Sequence, residues 1–235
     1  MTLREAFILS GGLGERLMPL TKDTPKTLLE IKGKTVLEWN IINLINHGVE
    51  KIVLGLGEKA EKVQEFVEDR DFGIKVFASV EQKPLGTGGA LKLAQKHFSD
   101  ENFAMCNGDE VKDINYTSLF SLHVEKKAFA TLSLIETKNA HGFGLVNVDQ
   151  SNGLIKSFKE KPTKPIKGTI SAGAYILNKK VFDLIPSKEN YSIEVDVFPK
   201  LSAEKKLFGV LNKAQWFPID TPEKLELAKK IWKGF

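Results

Sequence analysis

The 235-residue chain carries 34 Lys and Arg against 30 Asp and Glu, a net charge of +4, with 42% hydrophobic and 27% charged residues. That size fits one large domain with a substantial buried core. The basic residues are spread along the chain rather than gathered into a stripe with interleaved aromatics, which argues against nucleic acid as a partner. A diffuse positive field instead suits small anionic substrates. Cys106 is the only cysteine and lies in the apolar run from Phe103, so it reads as a buried thiol and an intrachain disulfide is excluded. His47, His97, His123 and His141 show no metal-ligand spacing. Met1 to Arg4 lacks the form of a leader and no apolar run is long enough for a membrane span, so a soluble, cytoplasmic protein with no membrane partner is expected.

In chain order, the first element is an apolar strand, Ala6 to Leu9, which feeds directly into Ser10-Gly11-Gly12-Leu13-Gly14-Glu15-Arg16. Three glycines within four positions leave backbone N–H groups uncovered to a polyanion. Arg16 and Lys26 add fixed positive charge at two points of the same loop. The stretch therefore reads as a phosphate cradle, with a nucleoside triphosphate as the first candidate. It is not a Walker loop, which needs Lys-Ser or Lys-Thr after its last glycine. Nor is it the dinucleotide fingerprint, because the spacing is Gly-Gly-x-Gly and Pro19 and Pro25 forbid an uninterrupted helix behind it.

Beyond the turn Lys32-Gly33-Lys34, Thr35 is placed to cap a helix with Leu37, Ile41, Leu44 and Ile45 on one face, stopping at Gly48. A strand from Lys51 to Leu56, a helix from Lys59 to Arg70 and a strand from Ile74 to Val80 follow. This alternation predicts an α/β fold with a Rossmann-like, doubly wound, mostly parallel sheet. Glu81 ends the strand, and Gly86, Gly88 and Gly89 open a third helix, running through Leu91 and Leu93 to Phe98, whose start would again admit a flat or anionic group. The strand from Asn102 to Cys106 delivers Asn107-Gly108-Asp109, a carboxylate just past a strand's carboxyl end, where α/β sheets bind ligands. Mg²⁺ takes one or two carboxylates plus phosphate oxygens at such places. Glu110 and Asp113 read as surface loop acids. A helix from Asn115 to Lys126, strands at Ala128–Ile135, Gly142–Asp149, Ile155–Phe158 and Ile170–Leu177, and a last amphipathic helix carrying Leu225, Leu227, Ala228 and Ile231 complete the chain. Asp220, just before that helix, reads either as its cap or as a ligand.

Gly11-Gly12-x-Gly14-x-Arg16-Leu17-x-Pro19-Leu20-Thr21, followed by Pro25-Lys26, resembles the signature of the sugar-1-phosphate nucleotidyltransferases at every defining position. The resemblance implies a GT-A-like nucleotidyltransferase core, a single catalytic domain over 1–235. Its nucleotide-binding half would cover about 1–113, and a β-rich, sugar-phosphate-binding half about 114–235. It implies that Leu9, Gly11, Gly12, Gly14, Arg16 and Lys26 hold the nucleotide, with Arg16, Lys26 and Asp109 catalytic. Pro84-Leu85-Gly86-Thr87-Gly88-Gly89 is similar to the base-reading segment of the guanylyltransferase branch, which places Glu81, Gly86 and Thr87 at the base. A carboxylate accepts from both guanine N1–H and the 2-amino group. The same resemblance implies a Mg²⁺ cofactor on Asp109 and a sugar phosphate held by Gly144, Glu160, Lys161, Gly173 and Glu194, with Asp196 bracing the fold. Ser171 stands where the family commonly has Asn. In Trp216-Phe217-Pro218-Ile219-Asp220-Thr221-Pro222-Glu223, Pro218 occupies the place of the usual second metal-binding Asp, and Asp220 is taken as its substitute, as in cytidylyltransferases with Asp-Thr-Pro-Glu.

The expected reaction joins a nucleoside triphosphate, GTP favoured, to a sugar 1-phosphate of mannose or heptose type, giving an NDP-sugar and pyrophosphate. The sugar phosphate oxygen attacks the α-phosphorus in line with the departing pyrophosphate, which asks for positioning and charge neutralisation rather than covalent help. The two substrates are the expected partners, with a homo-oligomer left open. Thymidylyl or uridylyl transfer to glucose 1-phosphate stands as an alternative, as does a nucleotide-binding regulatory homologue, suggested by Pro218. An oxidoreductase domain, with Glu30 as ribose-binding acid, is disfavoured by the prolines. No appended β-helix or acyltransferase domain is expected.

Overall fold

Glu5–Leu9 (β1) is almost wholly buried between two parallel neighbours, which is why it reads as a continuous apolar run rather than an alternating one. The computed structural model describes residues 2–164, 166–187 and 189–235. After β1 come β2 (Glu30–Ile31), β3 (Lys34–Thr35), α1 (Val36–Asn46), β4 (Lys51–Leu56), α2 (Ala60–Glu68), β5 (Lys75–Val80), α3 (Gly86–Leu93), β6 (Asn102–Asn107) and β7 (Glu110–Lys112). The second half runs α4 (Tyr116–Lys126), β8 (Ala130–Thr137), β9 (Leu145–Val148), β10 (Ile155–Lys159), β11 (Gly168–Asn178), α5 (Phe198–Ala203), β12 (Leu207–Leu211), β13 (Trp216–Pro218) and α6 (Pro222–Ile231).

Among the described residues the central sheet has nine strands, in the order β10-β9-β11-β6-β1-β4-β5, with β8 also on β11 and β12 on β8. The run β6-β1-β4-β5 is parallel, as the alternating pattern predicts. At β11 the direction changes. This strand is antiparallel to β6, β8 and β9, and β10 is antiparallel to β9, so the second half is the β-rich part that the resemblance implied. Ala6 and Ile8 face one core, shared with α1, α2 and α4, while Phe7 faces the other, shared with α3 and α5. The alternation along β1 thus places helices on both faces of the sheet. A third, smaller cluster (Leu17, Ile31, Val36, Val111, Ile219, Leu225 and Trp232) ties the glycine loop to β7, the segment after β13, and α6.

The local signals behave as their chemistry dictates. The Thr35 hydroxyl accepts from the Glu38 N–H at 3.1 Å, and the Glu38 carboxylate accepts from the Thr35 N–H at 2.6 Å. This is a capping box of the kind that contributes about 1 kcal/mol to a helix start. The third helix is shorter than the sequence predicts. It ends at Leu93, which faces solvent, and a 3-10 turn over Gln95–His97 redirects the chain so that Phe98 stacks on Phe103 with ring centroids 4.3 Å apart. A local pattern cannot announce that turn, because its driving contact lies in the next strand.

Candidate active site

The carboxyl ends of β1, β4 and β5 open onto a pocket of about 990 Å³, the place where parallel α/β sheets receive ligands. Its lining includes all nine residues expected at the nucleotide: Leu9, Gly11, Gly12, Gly14, Arg16, Lys26, Glu81, Gly86 and Thr87. Asp220 lines it as well. Two short 3-10 turns, Glu15–Leu17 and Lys26–Leu28, interrupt the loop as its prolines require. Gly14 adopts φ 67°, a left-handed conformation that a side chain would strain, and its carbonyl accepts from the Thr21 hydroxyl at 2.8 Å. Lys59 reaches from the start of α2 to donate to the Thr21 carbonyl at 2.6 Å, and Lys62 donates to that of Asp23, so α2 holds the far limb of the loop.

Glu81 lies close over Gly11 and Gly57, with its Oε1 3.2 and 3.1 Å from where a Cβ would sit on each. Its other oxygen accepts from the Leu85 N–H at 3.1 Å. Burial raises its pKa, and that one hydrogen bond offsets only part of the effect. Lys26, itself buried, donates to Asp109 Oδ2 at 2.6 Å, while the Asp109 carboxylate keeps 44% of its surface exposed. Arg16 projects into solvent and pairs with Asp220 Oδ2 at 3.1 Å, and Lys224 lies 2.6 Å from Asp220 Oδ1. The helix-cap reading of Asp220 is replaced: the Thr221 hydroxyl caps α6 by accepting from the Lys224 N–H at 3.4 Å.

Asp109 and Ile219, the neighbour of Asp220, are joined by backbone pairing. β7 and β13 form an antiparallel ladder, and beyond it the Ile219 N–H donates to the Asp109 carbonyl at 3.0 Å. The donors are carboxylate oxygens, which suit a hard divalent cation. Among the described residues no three His, Cys, Asp or Glu side chains converge as an ion-holding group, so a cation here would complete its shell with oxygens of a phosphate ligand.

The residues expected at the sugar phosphate are placed less uniformly. Glu160 Oε2 stands 3.1 Å from where a Cβ on Gly144 would be, and its pKa is raised, first by burial and then by the nearby Glu194 carboxylate. Glu194 accepts from the Thr87 hydroxyl at 2.5 Å, from Ser192 at 2.9 Å and from the Tyr175 hydroxyl at 3.4 Å, which joins this region to the pocket wall. Lys161 lies 3.7 Å from Glu160 Oε1 with 70% of its side chain in solvent. Gly173, at φ 59°, faces inward. Glu110 Oε2 and Asn107 Nδ2 lie 2.6 and 2.7 Å from where its Cβ would be, and its carbonyl accepts from Lys112 at 2.7 Å.

Two expectations are corrected here. Glu110 is not a surface acid but is buried on β7, bonded to Lys112 and Trp216. Asp113 is exposed, as expected. The glycines of α3 do not leave their backbone open to a ligand throughout. The Gly88 and Gly89 N–H groups donate to the Tyr191 carbonyl at 2.7 and 3.1 Å, and the missing side chains at 86, 88 and 89 make room for the segment 189–193. Sequence reasoning missed Gly57, Glu58 and Glu61 in the pocket wall. Gly57 follows directly on β4, beside β1, so the rule that ligands gather at the carboxyl ends of parallel strands would have found it.

The nucleotidyl transferase family profile matches residues 5–232. The chain is 34% identical over 226 residues to a D-glycero-alpha-D-manno-heptose 1-phosphate guanylyltransferase of Aneurinibacillus thermoaerophilus, covering 96% of this chain and 97% of that one. It is 34% identical over 223 residues to a probable mannose-1-phosphate guanylyltransferase of rice (Oryza sativa subsp. japonica), spanning 93% of this chain but only 62% of that longer protein. In three dimensions it superposes with a TM-score of 0.82 on HddC from Yersinia pseudotuberculosis complexed with GMP-PN, at 30% identity over 98% of this chain and all of the other.

Proposed function

The chain belongs to the nucleotidyl transferase family, and from that premise we propose that it transfers a guanylyl group from GTP to the phosphate of a sugar 1-phosphate of mannose or heptose type, releasing pyrophosphate. The observation that carries this reading is one pocket lined both by the Glu81 carboxylate and by the glycine loop with Arg16 and Lys26. A carboxylate that accepts hydrogen bonds suits the N1–H and amino group of guanine. The glycine loop's N–H groups, Arg16 and Lys26 suit a triphosphate. The guanylyltransferase names of both relatives, and the nucleotide in the HddC complex, support the choice of GTP.

In this reading the uncovered N–H groups of the loop and the exposed Arg16 grip the leaving phosphates, Arg16 exchanging Asp220 for the ligand. Lys26, held by Asp109, neutralises charge that develops at the α-phosphate. Glu160 accepts hydrogen bonds from sugar hydroxyls, Glu194 orders the wall between the two substrates through Thr87, and Lys161 swings in from solvent to hold the attacking phosphate. Asp109 and Asp220 would hold Mg²⁺. Such an ion would supply charge neutralisation and alignment of the reacting groups. The remaining work is positioning, since a phosphoryl group already in line needs no covalent help from the protein.

The test is pyrophosphate release with Mg²⁺ across a grid of GTP, dTTP, UTP and CTP against mannose, heptose and glucose 1-phosphates. Turnover led by GTP with a manno-configured acceptor is expected. Turnover led by dTTP or UTP with glucose 1-phosphate overturns the substrate assignment. Silence over the grid with nucleotide still bound favours a regulatory homologue, a reading that Pro218 motivates.

A further inference from the structure

Directly behind Asp109 lies a buried ion pair to which the reaction assigns no part. Lys112 on β7 has 0% of its side chain exposed. Its ammonium donates to Glu110 Oε2 at 2.8 Å, to the Gly173 carbonyl at 2.7 Å and to the Asn107 carbonyl at 3.0 Å. An ammonium has three N–H bonds, and here each has an acceptor. Glu110 Oε2 accepts in addition from Trp216 Nε1–H at 3.1 Å, and the Glu110 carbonyl accepts from Asn40 Nδ2 at 2.9 Å. The pair therefore joins four pieces of backbone: the exit of β6, strand β7, strand β13 and the irregularity in β11 between Ser171 and Tyr175.

Stability alone is a weak reason for such a pair. Exchanging a buried ion pair for apolar residues of similar volume is often neutral or stabilising. Residues 110 and 112 share one face of a short strand, a place that two apolar side chains would fill if packing were the whole need. What the pair does fix is direction. Asn107 lies two residues before Asp109, Glu110 directly after it, and Trp216 leads through Pro218 to Ile219, which bonds the Asp109 backbone. We propose that Glu110 and Lys112 are positioning residues, a buried ionic peg that aims Asp109 at Lys26 and keeps its backbone bonded to Ile219. A misplacement of about 1 Å at a reacting centre costs on the order of 100-fold in rate, so such a peg has a function that packing cannot supply. The proposal rests on the reading of Asp109 as a cation ligand given above.

The discriminating variant is the apolar pair Glu110→Leu/Lys112→Met. It should keep a thermal midpoint close to the parent's, and above that of Lys112→Met alone, which strands a buried carboxylate. It should nevertheless lose about tenfold or more in kcat, and in Mn²⁺ affinity of the complex with a non-hydrolysable GTP analogue, the usual scale for outer-shell partners of a metal ligand. The free Mn²⁺ signal in electron paramagnetic resonance reads that affinity without turnover. Affinity for the GTP analogue in the absence of divalent metal should stay unchanged, because the pocket lining excludes both residues. Trp216→Phe, which removes the indole N–H and leaves a smaller aromatic ring, serves if the pair variant does not fold and should show a smaller shift in the same two readouts. Parent-like kcat and Mn²⁺ affinity in the folded variant overturn the proposal. A parent protein that binds no GTP analogue sinks the functional reading instead.

Discussion

In the first half of the molecule, β6, β1, β4 and β5 run parallel, and the carboxyl ends of β1, β4 and β5 gather every residue expected at the nucleotide around one pocket. The second half, built on antiparallel pairings of β8 to β11, treats its expected residues unequally: Glu160 stands against Gly144, Glu194 reaches across to Thr87, Gly173 turns inward onto Glu110, and Lys161 stays in solvent. The difference is geometric. Parallel strands all finish at the same edge, so motifs at their ends converge without further instruction. Antiparallel strands finish at alternate edges, and which of their residues meet a substrate depends on bulges and on loops returning from elsewhere.

The sharpest way to test this contrast is at Lys26, on the nucleotide side. Lys26→Met removes the cation facing Asp109 and should lower kcat about 10³-fold, roughly 4 kcal/mol of barrier, in steady-state pyrophosphate release. A loss under tenfold would remove Lys26 from the reacting centre.

The seam between the halves carries its own pH signature. His123 on α4 is within hydrogen-bonding distance of Thr131 on β8 and Asn102 on β6, both at 3.0 Å, and burial lowers its pKa to about 4. The unfolded chain takes up this proton below its ordinary value near 6.5, the folded one only near 4. The stabilisation is therefore complete above about pH 6.5 and shrinks as pH falls toward 4, by up to about 3 kcal/mol. Denaturant unfolding between pH 7 and 4 should show this slope in the parent and lose it in His123→Gln.

Glu81→Gln tests the nucleotide half alone. It should lower kcat/KM for GTP about 10- to 100-fold, roughly 1.4 to 2.8 kcal/mol, and narrow the preference over dTTP, while KM for the sugar phosphate holds. Because burial raises the Glu81 pKa, GTP binding in the parent should weaken with falling pH sooner than an ordinary carboxylate would allow, and the variant should lose that component. Glu160→Gln is the matching test of the second half. It should raise KM for the sugar phosphate about tenfold, roughly 1.4 kcal/mol, and leave KM for GTP alone. If Glu81→Gln and Glu160→Gln each move both KM values, the two halves do not act as separate substrate sites.

The sequence by itself determined the features that depend on neighbours in the chain. The loop from Gly11 to Lys26 is legible because glycine, proline and charge act within a few residues of one another. The Thr35–Glu38 capping box needs only a helical turn, and β1 and β4 announce themselves by unbroken apolar runs. Tertiary structure decided everything that rests on distant partners. Glu110 looks like a surface acid because β7 has only three residues, too few to display a period, and its burial is set by Lys112, Trp216 and the inward-facing Gly173. Gly88 and Gly89 look open to a ligand until the segment around Tyr191, about a hundred residues onward, takes their N–H groups. Thr87 meets Glu194, and Arg16 meets Asp220, only once the segment entering α5 and the start of α6 are in place. Backbone preferences act over a few residues, whereas the partner of a buried charge is chosen by whichever strand the sheet brings beside it.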